Sequence, residues 1–331
     1  MVSYSSWHGL KLHAHRYLLT DVLKGELGFD GFLISDWLGA GQLDADFEQS
    51  LIQTINAGMD MVMVPFECVG FITAVMRAVE RGTIPLSRID DAVTRILRVK
   101  VEMGLFEQPF GEESLLADVG SPEHRAVARE AVRKSLVLLK NDRSTLPLSR
   151  QVSRVLVAGD AEDNIGLQCG GWTIEGQGAS GNTTPGTTLL GALQQTLPDT
   201  QIAYRADGAF EPDQRAEVGV MLSEPPYAEG EGDRSDLSLP AQDVAFVHSL
   251  RGQCDHLIIV LYSGRPMWID EVLDICDAFV AAWLPGTEGQ GIVDVLVGDY
   301  PFTGKLPMTW AHDPRLAQGV SQFSFGYGLS T

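Results

Sequence analysis

Along residues 1–104, short apolar runs alternate with stretches whose apolar positions return every three or four residues. Gly31 to Ser35 (Gly-Phe-Leu-Ile-Ser) is a compact run that predicts a strand ending at Asp36-Trp37. Phe47, Leu51 and Ile55 then lie four apart on one helical face, and Gly58 stands where that helix should end. Asp60 to Val64 predicts the next strand, and a helix near 69–81 follows with Phe71, Ile72, Val75, Met76 and Val79 apolar. A third helix is predicted from Ser87, with Asp90 three residues on as in a capping box. Its buried stripe should be Ile89, Val93, Ile96 and Leu97, and Gly104 takes the place of a C′ glycine.

Residues 105–121 break this rhythm with Pro109, Gly111, Gly120 and several acids, as a linker would. Ser121-Pro122 then predicts a helix start by cap and first-turn proline. The rhythm resumes beyond it. Val155 to Ala158, Ile202 to Tyr204, Val218 to Leu222, Leu257 to Tyr262 and Phe279 to Trp283 predict strands, with helical stretches at 187–196, 240–251 and 288–297 between several of them. The fold class is therefore α/β, with parallel strands and crossover helices. Residues 122–331 should form an open sheet of five or six strands covered by helices, onto which the aromatic, glycine-rich tail from Phe323 to Thr331 packs.

Composition narrows the functions available. The 331 residues carry 44 acidic and 24 basic side chains, a formal charge of −20, which argues against nucleic acid or an anionic membrane surface as partner. No apolar run approaches a membrane span. The first residues lack the basic and apolar regions of a signal peptide. Cys68, Cys169, Cys254 and Cys276 lie far apart without zinc spacing, so buried free thiols are expected. No lysine occurs between Lys140 and Lys305, which removes a phosphate-binding loop, and the run before Asp160 lacks the dinucleotide fingerprint. No cofactor or metal is implied.

In parallel α/β folds, functional groups gather at the carboxyl ends of strands. Asp36, Asp160 and Glu224 occupy such places. Asp36 and Glu224 come from different regions, so a cleft between the two could unite them as the carboxylate pair that glycoside hydrolysis needs. Trp37 strengthens Asp36, because an indole packs against the apolar face of a pyranose. Trp172, in the loop Gly170-Gly171-Trp172-Thr173-Ile174-Glu175-Gly176-Gln177-Gly178, is a second such platform. Asp160 has no aromatic neighbour and is expected to cap or pair. Residues 207–236 hold nine acids against two arginines: either a solvated loop or one that presents Glu224 or Glu229 as a general acid. His13-x-His15 lacks a third metal ligand and is expected on a helix surface. Ser35 is not in a nucleophile elbow.

These segments together resemble glycoside hydrolase family 3. The likeness rests on Ser3-Tyr4-Ser5-Ser6-Trp7, Leu18-Leu19-Thr20, Gly28-Phe29-Asp30-Gly31-Phe32, Ser35-Asp36-Trp37 and Asn56-Ala57-Gly58-Met59-Asp60-Met61. It continues through the Trp172 loop, the Gly-Asn-Thr-Thr-Pro-Gly run at 181–186, Glu224-Pro225-Pro226-Tyr227-Ala228-Glu229 and the closing Phe325 to Ser330. It is nearest to the β-glucosidase and exo-β-glucan hydrolase branch. The resemblance implies a retaining reaction on β-glucosides or β-glucans, with Asp36 as nucleophile, Glu224 as acid/base, Trp37 and Trp172 as the indole clamp and Tyr4 beside the nucleophile. It implies that residues 1–104 are the last part of a (β/α)8-type barrel, 105–121 a linker and 122–331 the α/β sandwich.

The chain also departs from the family pattern. Ser223 replaces the usual glycine before Glu224, and His8 the usual asparagine after Ser-Ser-Trp. The earlier barrel strands and their sugar-holding groups are missing, so Met1 reads as an internal methionine and a separate barrel segment as a needed partner. The chain would then be a truncated copy that keeps both catalytic carboxylates or, alternatively, a non-catalytic fragment acting as a weak carbohydrate-binding or complementing unit. Export of the parent protein is a further implication of the resemblance.

Overall fold

Period-2 alternation builds the larger part of the molecule. The computed structural model describes residues 1–211, 216–315 and 321–331, with only the backbone for 217–221. It divides into two compact units, Met1–Ser114 and Leu115–Thr331.

In the second unit, α4 is Pro122–Ser135, β3 Val137–Asn141, β4 Arg154–Ala158, α5 Ile165–Cys169, α6 Leu189–Thr196 and β5 Gln201–Arg205. β6 (Ala216–Ser223), α7 (Ala241–Arg251), β7 (Cys254–Tyr262), α8 (Asp270–Leu273), β8 (Ala278–Trp283) and α9 (Gly289–Leu296) complete it. The six strands run in the order β3-β8-β7-β6-β4-β5, all parallel except the β3–β8 pair. Alternate residues feed two cores. Val155, Val157, Ile258, Val260 and Val280 join Val132 of α4 and the apolar faces of α6 and α9. Leu156, Ile259, Leu261 and Phe279 face the other way, towards Val247 and Leu250 of α7 and Val272 of α8. Helices thus cover both faces, as the near-continuous apolar strands require.

All five predicted strands of this unit are present, and Ser121 caps α4 by accepting from the His124 amide, with Pro122 in the first turn. The additional strand, β3, has no separate signal in the sequence. Its apolar run, Leu136 to Leu139, is short and follows directly on the polar last turn of α4. The tail packs as expected: Phe323 and Tyr327 join the second core and Leu329 bridges Leu138. Residues 212–215 of the acidic stretch lie outside the described residues.

In the first unit, β1 (Ser6–Trp7) and β2 (Leu10–Lys11) form a minimal antiparallel hairpin. His8 and Gly9 turn it with φ of 50° and 79°, the geometry for which asparagine-glycine is preferred. A π-helical segment, Tyr17–Glu26, follows. Then come α1 (Phe47–Asn56), α2 (Cys68–Glu80) and α3 (Leu86–Glu102).

Three expectations need correction here. The two predicted strands pair in parallel, but only through a single bridge, Ile34 to Met61. Where the next rung would form, the Met63 amide donates to the Ser35 hydroxyl (2.8 Å) instead of to a carbonyl. Ser87 is not a cap, because α3 begins at Leu86 with Pro85 before it. That first turn is anchored by the Arg88 side chain, which donates to the Ile55 and Met59 carbonyls and pairs with Asp60. Finally, Val93 and Leu97 are not buried; Ala92 is the buried position of α3. No helix among the described residues is long and apolar enough to cross a membrane.

Candidate active site

Asp36 sits where the first unit's parallel pairing ends. Its amide donates to Nε2 of His13 (3.1 Å), and its Oδ1 accepts from the Trp37 amide (2.7 Å). His13 is 1% exposed and lies in a 3-10 turn, not on a helix surface as expected. His15 is buried as well. Burial holds His13 below its ordinary range against the pull of Asp36, so Nε2 keeps the lone pair that the Asp36 amide needs. The fit is close: a Cβ on Gly39 would lie 2.5 Å from His13 Nε2. The Tyr4 ring packs on His13 at 6.1 Å between centroids. Trp37 is half exposed, edge-on to Phe66. Tyr4, Asp36 and Trp37 are thus gathered around one buried histidine that the sequence pattern assigns to a helix surface.

The segment that leads to Asp36 is anchored by an ionic cluster at Leu33. The Asp60 side chain is fully buried, takes the Leu33 amide (2.7 Å) and pairs with Lys24 (2.8 Å) and Arg88. Burial, more than the opposing pull of Asp60, lowers the Lys24 ammonium from its ordinary range. Lys24 and Thr20 also bond the Gly58 and Ala57 carbonyls, tying the π-helical segment to the end of α1. A side chain at Gly58 would strike Thr20.

Glu224 is placed by the sheet itself. Its amide donates to the Tyr262 carbonyl (3.0 Å), and that of Ser263 to the Trp283 carbonyl (3.1 Å), so the parallel ladder runs on through both residues. The Glu224 side chain is 9% exposed. Oε2 accepts from Tyr227 (3.3 Å) and lies 2.7 Å from the Ser263 hydroxyl; Oε1 faces Arg265 Nε at 3.3 Å and Arg234 at 3.8 Å. Arg265 also donates to the Tyr227 hydroxyl and stacks on its ring. Burial first, then Glu224, push the Tyr227 phenol up, so it stays a donor. Gly232 and Gly264 leave the slot for this ring, since a Cβ at either would collide with it. Glu229, by contrast, is exposed on a 3-10 turn.

The Trp172 loop is pinned to this segment. A Cβ on Gly171 would lie 2.1 Å from the Tyr227 carbonyl oxygen, and one on Gly178 2.8 Å from Pro226. Gln177 accepts from the Ala228 amide (2.8 Å). Trp172 itself is 69% exposed with φ of 61°. The second unit therefore brings Trp172 and Glu224 to one place. Asp160 goes elsewhere, lining a cavity of about 540 Å³ at the carboxyl ends of β4, β5 and β6, where burial and then Asp160 raise the Asp243 carboxyl. Ser263 and Arg265 are site residues that the sequence reading misses, although they directly follow a predicted strand. Among the described residues no His, Cys, Asp and Glu group could hold a metal ion. The four cysteines form no disulfide; Cys254 and Cys276 are buried but Cys68 is exposed, at the start of α2 where no core covers it.

Residues 136–331 match the glycosyl hydrolase family 3 C-terminal domain, and residues 1–99 the family's N terminal domain. The chain belongs to glycosyl hydrolase family 3. Its relatives in the family include a lysosomal beta glucosidase of Dictyostelium discoideum, 31% identical over 100% of this chain and 45% of that protein. A periplasmic beta-glucosidase of Salmonella typhimurium is 28% identical over 94% of this chain and 46% of that one. Among solved structures, the Q683A mutant of an exo-1,3/1,4-beta-glucanase from a Pseudoalteromonas species superposes with a TM-score of 0.90 at 38% identity, over 99% of this chain and 56% of that one. This family 3 chain thus spans about half the length of the curated relatives it matches.

Proposed function

We propose that this chain carries both catalytic carboxylates of a retaining hydrolase acting on β-glucosides or β-glucans. Asp36 attacks the anomeric carbon and forms a glycosyl-enzyme. Glu224 first gives its proton to the leaving oxygen, then takes one from the water that releases the sugar. Trp37 and Trp172 clamp the glucosyl unit between indole faces, and Tyr4 stands beside the nucleophile through its packing on His13. In this reading residues 1–104 are the last part of a (β/α)8-type barrel and 105–121 the link to the sandwich, 122–331.

The observation that supports Glu224 most is its immobilisation: a carboxyl at a strand end, nearly buried, with partners on both oxygens. Glu229, on an exposed turn, has none of this. The names of the relatives supply the substrate class. A retaining pair works at roughly 5–5.5 Å, and the mechanism demands that spacing between Asp36 and Glu224 in the competent complex.

Hydrolysis of a fluorogenic aryl β-glucoside by the purified chain, beside Asp36→Asn, tests the proposal. Circular dichroism establishes that both samples are folded. Release by the parent chain, lost by about 10²-fold or more in Asp36→Asn, is the expected result. A fluorinated glucoside that stalls the second step should add one sugar to the peptide holding Asp36. Equal background from two folded samples would instead assign the chain a complementing role, with turnover belonging to a longer assembly.

A further inference from the structure

Three contacts converge on one hydroxyl. Ser263 Oγ lies 2.6 Å from the Arg265 carbonyl oxygen, 2.7 Å from Glu224 Oε2, and accepts from the Arg265 amide at 3.1 Å. A serine hydroxyl owns one proton. The Arg265 carbonyl can only accept, so that short contact needs the serine proton. The equally short contact to Glu224 then needs a proton from the carboxyl. With Glu224 ionised, the one serine proton can serve only one of the two oxygens, and the pair left without a hydrogen has to move apart. At 2% exposure, water has little access to Ser263 to supply it.

From this proton count we infer that Ser263 is a positioning residue, a hydroxyl rotor that serves both protonation states of Glu224; the inference rests on the acid/base role proposed above. In the acid state, Glu224 Oε2–H donates to Ser263, and Ser263 donates to the Arg265 carbonyl. When the proton passes to the leaving oxygen, the serine hydroxyl turns and donates to the new carboxylate oxygen. When the carboxylate takes a proton from the attacking water, the hydroxyl turns back. Ser263 keeps its own proton throughout, and each cycle moves one proton off Glu224 and one back on.

The surroundings hold the pivot still while leaving the rotation free. The Arg265 amide fixes the oxygen, and the ladder bond from the Ser263 amide to Trp283 fixes the backbone. Tyr227 donates to the same carboxylate oxygen, taking its own hydrogen bond from Arg265 Nε (2.8 Å). Both partners of Oε2 are therefore hydroxyls, whereas the guanidinium groups face Oε1. The charge stands beside one oxygen and the exchangeable proton beside the other.

The first test needs no turnover. The infrared carboxyl band that disappears in Glu224→Gln is located across a pH titration of the full chain, then compared in Ser263→Ala and Ser263→Thr. Loss of the hydroxyl acceptor should move the band to higher wavenumber in Ser263→Ala, and Ser263→Thr should return it. Ser263→Gly is the second truncation should the alanine variant fail to fold. A band indifferent to residue 263 overturns the inference. The second test uses leaving groups. Where the chain turns over, Ser263→Ala should lower kcat/KM for an alkyl β-glucoside about tenfold more than for a dinitrophenyl β-glucoside, whose leaving group needs no proton. Equal losses on both substrates also overturn it. A shifted band without any turnover would leave the proton placement standing and assign turnover to a longer assembly.

Discussion

Asp36 and Glu224 both stand at the end of a parallel pairing, yet the two units put them there by different means. Behind Glu224 lies a regular six-stranded ladder whose main-chain bonds continue through Glu224 and Ser263. Behind Asp36 the ladder is one bridge long, and side chains take over its work: Ser35 for the Met63 amide, His13 for the Asp36 amide, Asp60 for the Leu33 amide. The cores differ in the same sense. The second unit has two extended apolar clusters, one per sheet face; the first has three small ones. A short, interrupted sheet can still aim a carboxylate, provided buried polar groups replace the missing rungs and are themselves fully partnered.

The comparison breaks most readily at Asp60. Asp60→Ala leaves Lys24 and Arg88 facing each other in a buried site and should cost the first unit roughly 3–5 kcal/mol. Hydrogen exchange resolved by peptide should show the loss in residues 1–114, with 115–331 unchanged. The matching apolar change is Phe279→Ala, fully buried in β8, also roughly 3–5 kcal/mol but confined to the second unit. If Asp60→Ala proved mild, polar replacement would not be what holds the first unit.

His13 gives a smaller effect. His13→Ala strands the Asp36 amide, at a cost of about 1–3 kcal/mol, and His13→Gln, which offers an oxygen acceptor, should recover part of it. The pH dependence has a definite sign. Burial places the folded His13 below the ordinary 6.5, so the unfolded chain takes the proton first. Stability of the first unit is thus complete above that value and declines as pH falls through the folded one. Asp277 sets a different window for the second unit. Although burial pulls it upward, bonds from Arg251, the Leu257 amide and Arg143 lower it to about 2 from 3.8. The carboxylate's contribution is present above the unfolded value and is lost as pH falls towards 2. With Arg143 largely exposed, about 1–2 kcal/mol is at stake. Melting followed by exchange in each unit should therefore show the first unit responding to acid before the second, and Asp277→Asn should flatten only the later response.

Legibility in the sequence follows the same division. Strands buried on both faces are written as unbroken apolar runs, so β4, β7 and β8 can be read directly, whereas the short run of β3, directly after α4, is passed over. Hydroxyl and imidazole substitutes leave no period. Ser35 reads in the sequence only as the end of a strand and the residue before Asp36, and His13 passes for a surface residue because a 3-10 turn has no amphipathic signature. The carboxylates and indoles are found through strand ends and family likeness. Ser263 and Arg265 occupy an equally good strand end after Tyr262, but a search of strand ends for acids alone passes over them.

The bridge from Leu329 to Leu138 also governs how this protein can assemble. A sheet grows by adding strands at an edge, and the β3 edge is occupied at that point by the chain's own tail, held further where the Leu306 amide meets the Tyr327 carbonyl (2.8 Å). At the opposite edge, β5 ends in Arg205 and is flanked by Arg154, which bonds Gln201. Charge at one border and a latch at the other discourage strand-by-strand polymerisation. Association through helices or loops is the route that these two borders leave open.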